Sequence, residues 1–238
     1  MRMIRNGKLT QLTTMPRLFP VNCYLFEEDE GVTLIDAGLA ISAKGIMNAI
    51  DGLGSKPLTR IILTHAHGDH VGALDILKSA YPEAKVFISS RDNRLLRGDV
   101  SLDADEPQFP IKGDVPKKIS TRADILLEDG DLVGSLRVIS TPGHTPGSIS
   151  LLDTRSGALI AGDAFQVRGG VAVSGVMSLS FPFPALATWD KGTALSSAKR
   201  LAGLKPALLA VGHGEMIENP FDIMMKAIDK ADKKINQE

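Results

Sequence analysis

Four apolar segments of this chain each end in a small residue or a tight turn, and a histidine or aspartate follows. Short apolar runs of this kind are typical of buried strands. In a layered α/β protein, strand ends lie along a shared rim where sites collect. The pattern therefore predicts an α/β fold in which side chains distant in sequence converge at one edge. The segments and the polar residues that follow them are Ile61–Leu63 with His65, Val138–Ile139 with His144, Leu159–Ala161 with Asp163, and Leu209–Val211 with His213.

All five histidines of the chain take part in this pattern, and imidazole is the commonest metal ligand among side chains. Two nearby aspartates, one of them inside the first histidine cluster, extend the set to seven candidate ligands. A single tetrahedral zinc needs only four ligands, so seven favour two ions. Nitrogen and oxygen donors without a thiolate suit Zn²⁺, with Fe²⁺, Mn²⁺ and Co²⁺ as alternatives. The predicted ligands are His65, His67, Asp69, His70, His144, Asp163 and His213.

Apolar periodicity predicts helices between the strands. One helix should begin at Ser42 as its N-cap, and another near His70 with Asp69 as its cap, ending before Pro82. Further helices are predicted over 185–201 and after Pro220. Asp36, which follows the strand Val32–Ile35, is expected to accept the second N–H of a ligand histidine. Residues 91–123 are polar, contain three prolines and break the pattern, so we predict a single domain over 1–238 with an insertion there.

Composition excludes several classes of function. With 27 basic and 28 acidic residues the formal net charge is −1, which provides no electrostatic footprint for nucleic acid. No run approaches the ~18 apolar residues that span a bilayer, and no apolar segment of a signal peptide follows the charged start. The single Cys23 is expected to be a buried small hydrophobe. We therefore expect a cytoplasmic protein with a small-molecule substrate and no membrane partner, and the sequence leaves a homodimer open.

The order His-x-His-x-Asp-His, a lone histidine, an aspartate and a last histidine resembles the metallo-β-lactamase-fold superfamily. The segment Thr-Leu-Ile-Asp-Ala-Gly at 33–38 and the turn Pro-Gly-His-Thr-Pro-Gly at 142–147 extend the resemblance. It covers nearly the whole chain. The resemblance implies a four-layer αβ/βα sandwich, with two mixed sheets packed face to face, helices outside, and the site at one edge.

The resemblance also implies roles for the ligands. A metal-bridging hydroxide would cleave a small-molecule ester, lactone or thioester, and Asp69 would act as the catalytic residue that orients or receives a proton. In this arrangement the first ion is held by His65, His67 and His144, the second by Asp69, His70 and His213, and Asp163 bridges them.

Several branches of the fold remain open as alternatives. The chain is similar to acyl-homoserine lactonases, although these place a tyrosine three residues after the bridging aspartate and this chain has Gln166 there. It is also similar to glyoxalase II thioesterases, although only 25 residues follow His213, too few for their glutathione-binding helical domain. A phosphodiesterase, a persulfide dioxygenase with one iron on His65, His144 and Asp163, and a non-catalytic scaffold complete the alternatives.

The segment 165–189 is rich in glycine, valine and aromatic residues. Three interpretations are open for it, namely an apolar acyl pocket beside the metals, a packed loop and a subunit contact. Arg168 within it is expected to be a solvated arginine, with pairing to a substrate carboxylate or phosphate as the alternative.

Overall fold

The structure, a computed structural model, describes residues 1–54, 56–235 and 237. These residues divide into two compact units, one of residues 1–98 and 114–127, the other of residues 99–113 and 128 onwards. Each unit contains a mixed sheet together with helices. The predicted α/β class with two mixed sheets is therefore confirmed. The single domain over 1–238 stays a prediction.

The sheet of the first unit has the strand order β1-β2-β3-β4-β5-β6-β7. β1 to β4 pair antiparallel, and β4 to β7 pair parallel. Both β3 and β4 are buried along nearly their whole length, as expected for runs rich in β-branched and aromatic residues. The first three strands were not predicted. The strands are β1 (Arg2–Asn6), β2 (Leu9–Thr14), β3 (Val21–Glu27), β4 (Val32–Ile35), β5 (Leu58–Ile62), β6 (Lys85–Ser89) and β7 (Ile125–Leu127).

The helices of the first unit are α1 (Ala43–Asp51), α2 (Gly68–Val71), α3 (Leu74–Ala80) and α4 (Asp92–Leu96). Ser42 occupies the predicted N-cap position of α1, but its hydroxyl makes no capping bond, since a 3₁₀ turn precedes the helix. The hydroxyl instead lies 2.8 Å from that of Thr14. The predicted cap at Asp69 is wrong, since α2 begins at Gly68 and places Asp69 in its first turn.

The sheet of the second unit has the order β15-β14-β11-β10-β9-β8, in which only the pair of β11 and β14 is parallel. A separate hairpin joins β12 to β13. The strands are β8 (Leu132–Val133), β9 (Leu136–Ser140), β10 (Ile149–Asp153), β11 (Ala158–Ile160), β12 (Phe165–Gln166), β13 (Ala172–Val173), β14 (Leu208–Ala210) and β15 (Ile217–Glu218).

The helices of the second unit are α5 (Phe183–Leu186), α6 (Lys191–Gly203) and α7 (Phe221–Ile235). The predicted stripe of α7 is buried at Met224, Ile228 and Ala231 and packs into the core of this unit. The single helix predicted over 185–201 is wrong. It is interrupted before α6 because the Asp190 carboxylate caps that helix at the backbone N–H of Thr193.

The predicted insertion begins with α4, and residues 97–124, all of them described, form no helix or strand. Part of this stretch is fixed by Asp75, whose carboxylate accepts hydrogen bonds from the backbone N–H groups of Ser120 and Thr121. Across the described residues, no helix combines the length and the apolar character needed to cross a membrane.

Candidate metal centre

The segment after β5 brings the first four predicted ligands together. The ring centroids of His65 and His67 lie 4.9 Å apart, and those of His65 and His70 lie 4.0 Å apart. Nε2 of His70 is 3.9 Å from Oδ2 of Asp69. The three imidazoles are buried, whereas the Asp69 side chain keeps 21% of its surface exposed. The predicted grouping of these residues is therefore seen within the first unit.

Backbone hydrogen bonds fix the bend that carries this group. The N–H of Ala66 donates to Oδ2 of the buried Asp92 at 2.9 Å, and the N–H of Gly68 donates to the carbonyl of Asp114 at 2.8 Å. A Cβ on Gly68 would collide with the Asp114 carboxylate. A side chain at this position would force that exposed carboxylate to move. The bend places His67 immediately before the first turn of α2.

Asp36 holds the histidines of the first group in place. Its Oδ1 accepts the Thr64 N–H, and its Oδ2 accepts both the Thr64 hydroxyl and Nδ1–H of His70, each at 2.8 Å. Because the Thr64 hydroxyl donates to Asp36, its oxygen is left to accept from Nδ1 of His65 at 3.1 Å. Both rings thus carry their proton on Nδ1 and present Nε2 as a lone-pair donor. The predicted role of Asp36 as acceptor for a ligand histidine agrees with these contacts.

The second unit brings the remaining three predicted ligands together. Oδ2 of Asp163 lies 3.3 Å from Nε2 of His144 and 3.2 Å from Nε2 of His213. All three side chains are buried. One carboxylate oxygen thus stands between two imidazole nitrogens, each from a different loop of this unit.

A relay of hydroxyl groups fixes the ring of His144. The Thr188 hydroxyl donates to the carbonyl of Pro184 at 2.7 Å, and the Ser174 hydroxyl lies 2.9 Å from Thr188 Oγ1. With Ser174 donating to Thr188, its oxygen accepts from Nδ1 of His144 at 3.0 Å. The proton of His144 is therefore on Nδ1, and Nε2 faces Asp163. The hydroxyls of Ser174 and Thr188 therefore orient the ring of His144, as the Asp36 carboxylate orients the ring of His70.

The backbone around His144 and His213 is held at close range. The start of α6 packs directly on Gly143, whose φ is +131°, so that a Cβ there would overlap the backbone of Ala194. The N–H of Trp189 donates to the carbonyl of His144 at 3.0 Å. On the other side, the N–H groups of Val167 and Arg168 both donate to the carbonyl of His213.

The separations between donors fit a divalent metal. Ligand atoms about 2.0–2.1 Å from a tetrahedral zinc lie about 3.3 Å from one another. The contacts of Asp163 Oδ2 with the two imidazole nitrogens match this value at 3.3 and 3.2 Å. In the first unit, candidate ligand atoms of His65 and His67, and of Asp69 and His70, lie within 4.8 Å of each other. Imidazoles that present Nε2, as His65, His70 and His144 do, and carboxylates such as those of Asp69 and Asp163 are the donors such an ion requires.

Gln166, at the position where the lactonases carry a tyrosine, is buried. Its amide donates to the carbonyls of Phe181 and Arg168 at 3.1 and 3.2 Å. The Phe181 ring in turn lies 5.3 Å from that of His213. Gln166 therefore fixes the loop that packs on a predicted ligand.

Several residues that shape the site were missed by sequence reasoning. Thr64 and Asp92 support the first group, and Ser174 and Thr188 support His144. Thr64 had a usable signal, since it sits between a strand and the first ligand. Ser174 and Thr188 had none, because they are 30 and 44 residues from His144 in an otherwise apolar segment.

Comparison with known proteins identifies the family of the chain. The sequence model of the metallo-beta-lactamase superfamily matches residues 16–213. The uncharacterized protein YobT of Bacillus subtilis (strain 168) is 59% identical over 233 residues, covering 98% of this chain and 100% of that protein. The probable metallo-hydrolase YflN of the same strain is 35% identical over 206 residues, covering 79% of this chain and 76% of that protein.

Among solved structures, the di-iron-bound form of TTHA1623 is similar to this chain with a TM-score of 0.64 and 28% identity, covering 89% of this chain and 96% of that one. This chain belongs to the metallo-β-lactamase superfamily. It has the α/β fold of that family and is a metal-binding hydrolase by its membership.

Proposed function

We propose that this protein is a dinuclear metal-dependent hydrolase that cleaves a small-molecule ester, lactone or thioester. Two divalent ions would be held in the arrangement that the family resemblance implies, with His65, His67 and His144 on the first ion and Asp69, His70 and His213 on the second. Asp163 would bridge them.

The observation that carries the proposal is the position of Asp163. Its Oδ2 lies within 3.3 Å of Nε2 of both His144 and His213, which the family resemblance assigns to different ions. A carboxylate that bridges two ions must approach ligands of both. A mononuclear centre on His65, His144 and Asp163 would not use His213 as a ligand. It would therefore leave unexplained why His213 lies as close to Asp163 as His144 does.

Two bound ions would supply an acidified water and polarise the carbonyl oxygen of the substrate. The side chains then have distinct tasks. Asp69 is the most exposed ligand of the first group, so its carboxylate is the one that can receive a proton from the water or return it to the leaving group. Asp36, Ser174 and Thr188 keep the histidines in the tautomer that presents Nε2.

Zinc is the proposed ion, because the donors are imidazole and carboxylate without thiolate. Iron is the first alternative, since the similar structure of TTHA1623 was solved with two iron ions. A small-molecule substrate and a cytoplasmic location complete the proposal.

The test combines metal quantification with a substrate panel. Metal-free protein is reloaded with Zn²⁺, Mn²⁺ or Fe²⁺ and assayed on esters, lactones, thioesters, β-lactams and phosphodiesters. Asp163→Ala should lower the bound metal and abolish turnover. Asp129→Ala, which removes a half-exposed carboxylate paired with Arg200, serves as the control and should retain both. Wild-type rates in Asp163→Ala, or one iron per chain with consumption of dioxygen, would overturn the proposal.

A further inference from the structure

The segment 165–189 leaves a group of large apolar side chains in solvent. Leu179 is 97% exposed, Leu186 59% and Phe183 50%, and Met177 is also exposed. Phe109, from the stretch 99–113 of the same unit, is exposed as well. We call these five residues the apolar rim. Exposed apolar side chains grouped in one stretch of chain are a feature that marks binding surfaces.

The rim continues directly into the predicted ligands of the second unit. The ring of Phe183 packs edge-on against that of Phe181 with centroids 5.2 Å apart. Phe181 in turn lies 5.3 Å from His213. At the other end of the segment, Thr188 belongs to the relay that fixes His144. The exposed rim is therefore connected to a predicted metal ligand by ring packing through Phe181, which is itself buried.

The rim is held in this exposed position by polar contacts beneath it. The amide of Gln166 donates to the carbonyl of Phe181. The indole N–H of Trp189 donates to the carbonyl of Phe109 at 2.9 Å, which attaches the distant stretch to the rim. The hydroxyl of Ser178 donates to the carbonyl of Gly169 at 3.0 Å. These bonds fix the backbone, so the apolar side chains do not collapse into the core.

The part of the rim that comes from the segment 165–189 favours an uncharged occupant. Arg168 is the one charged residue in the sequence from 165 to 189. An uncharged hydrocarbon group is complementary to such a surface. A hydrocarbon group that extends outward from the scissile carbonyl would lie against the exposed faces of Phe183 and Leu186.

We propose that the apolar rim binds the acyl chain of the substrate, so that the enzyme acts on medium-chain acyl esters, lactones or thioesters. This inference rests on the proposed hydrolase function. It adds that the acyl side, and not the leaving group, supplies selectivity for chain length.

The first experiment measures kcat/KM of the zinc-loaded protein on a thioester series with acyl chains of two to eight carbons. Burial of hydrocarbon against a half-open rim should raise kcat/KM by about two- to fourfold for each added methylene. In the variant with Phe183→Ser and Leu186→Ser this dependence should fall below about 1.5-fold per methylene.

The controls separate binding from folding. Leu132→Ser removes a leucine of similar exposure, 64%, on the edge strand β8 and should leave the chain-length dependence unchanged. Leu179→Ser changes a side chain that is fully in solvent, so it cannot unfold the protein, and it should reduce the dependence by itself. A dependence that persists in both rim variants overturns the inference.

A binding measurement decides the inference without turnover. Trp189 is the single tryptophan of the chain, so its fluorescence reports ligand binding at the rim. Octanoate should bind the zinc-loaded protein at least tenfold more tightly than propanoate, and the rim variant should lose that difference. Equal affinities overturn the inference. Binding of phosphatidylcholine vesicles without any dependence on chain length overturns it in favour of a membrane surface.

The two proposals fail in different ways. Hydrolysis of the two-carbon substrate without any gain from longer chains would overturn the inference and leave the hydrolase function standing. Absence of hydrolysis of every ester, lactone and thioester tested would overturn the proposed function, and the octanoate titration would then decide the inference.

Discussion

Replacement of Asp36 by asparagine tests how the protein prepares its histidines for metal. The residue has a φ of +61°, in the left-handed region that asparagine tolerates, so the change adds little backbone strain. In Asp36→Asn one carboxylate oxygen becomes an NH₂ group. If the remaining oxygen still accepts the hydrogen bond from the Thr64 N–H, the new NH₂ group faces Nδ1–H of His70. Two donors then point at each other and no hydrogen bond can form. His70 must then move its proton to Nε2, where it blocks the metal.

The size of the effect follows from the bonds that are lost. Hydrogen bonds to a charged acceptor contribute about 1.5–3 kcal/mol each, and Oδ2 of Asp36 accepts two of them. The Thr64 hydroxyl can reorient and accept from the new NH₂, so the metal-free protein should lose about 2–3 kcal/mol of unfolding free energy. Loss of the partner of a ligand histidine lowers metal affinity about 10- to 100-fold, or about 1.4–2.8 kcal/mol.

The assay titrates metal-free protein with Zn²⁺ against a chromophoric chelator and measures urea unfolding in parallel. Asp153→Asn is the matched control, because this aspartate is equally buried and its carboxylate holds Ser135 and Ser156. The control should lose stability and keep its zinc affinity. If Asp36→Asn binds zinc within twofold of the wild type, the account of the histidine tautomers is refuted.

Three further predictions concern other parts of the molecule. Gly143→Ala should strongly reduce folding yield and metal content, because its Cβ would overlap Ala194, whereas Gly130→Ala has the same kind of positive φ with open space and should retain its metal. Gln166→Leu should raise KM for long-chain substrates severalfold, with kcat for the two-carbon substrate retained, because the loop of Phe181 loses its tether. The hydrogen bond from the Val86 N–H, assisted by Lys78 and Lys85 against the opposing effect of burial, lowers the pKa of Asp124. Its contribution to stability is present above the unfolded pKa and is lost as pH falls through the lower folded pKa, so urea unfolding should show an Asp124→Asn deficit that begins to shrink below about pH 4 and is gone below the folded pKa.

The sequence was sufficient for the parts of the site that depend on strand ends. His65, Asp163 and His213 follow apolar runs that form β5, β11 and β14. Asp36 could be predicted as an acceptor because it too follows a strand. In each case a local pattern determines where the side chain emerges.

The supports of His144 could not be predicted, because they depend on how distant segments pack. Ser174 and Thr188 reach the ring only after the hairpin of β12 and β13 and the start of α6 are in place. The break before α6 has the same origin. The N–H groups of Trp189 and Asp190 donate to carbonyls of the His144 loop and not to helical partners, a choice that tertiary packing makes.

The most direct test of the central claim is the number of zinc ions that activate one chain. Metal-free protein is titrated with Zn²⁺, and bound metal and thioester hydrolysis are measured in the same samples. The account predicts saturation at two equivalents, with hydrolysis reaching its maximum at the second. Saturation at one equivalent with full hydrolytic activity would contradict a two-metal centre on these seven ligands.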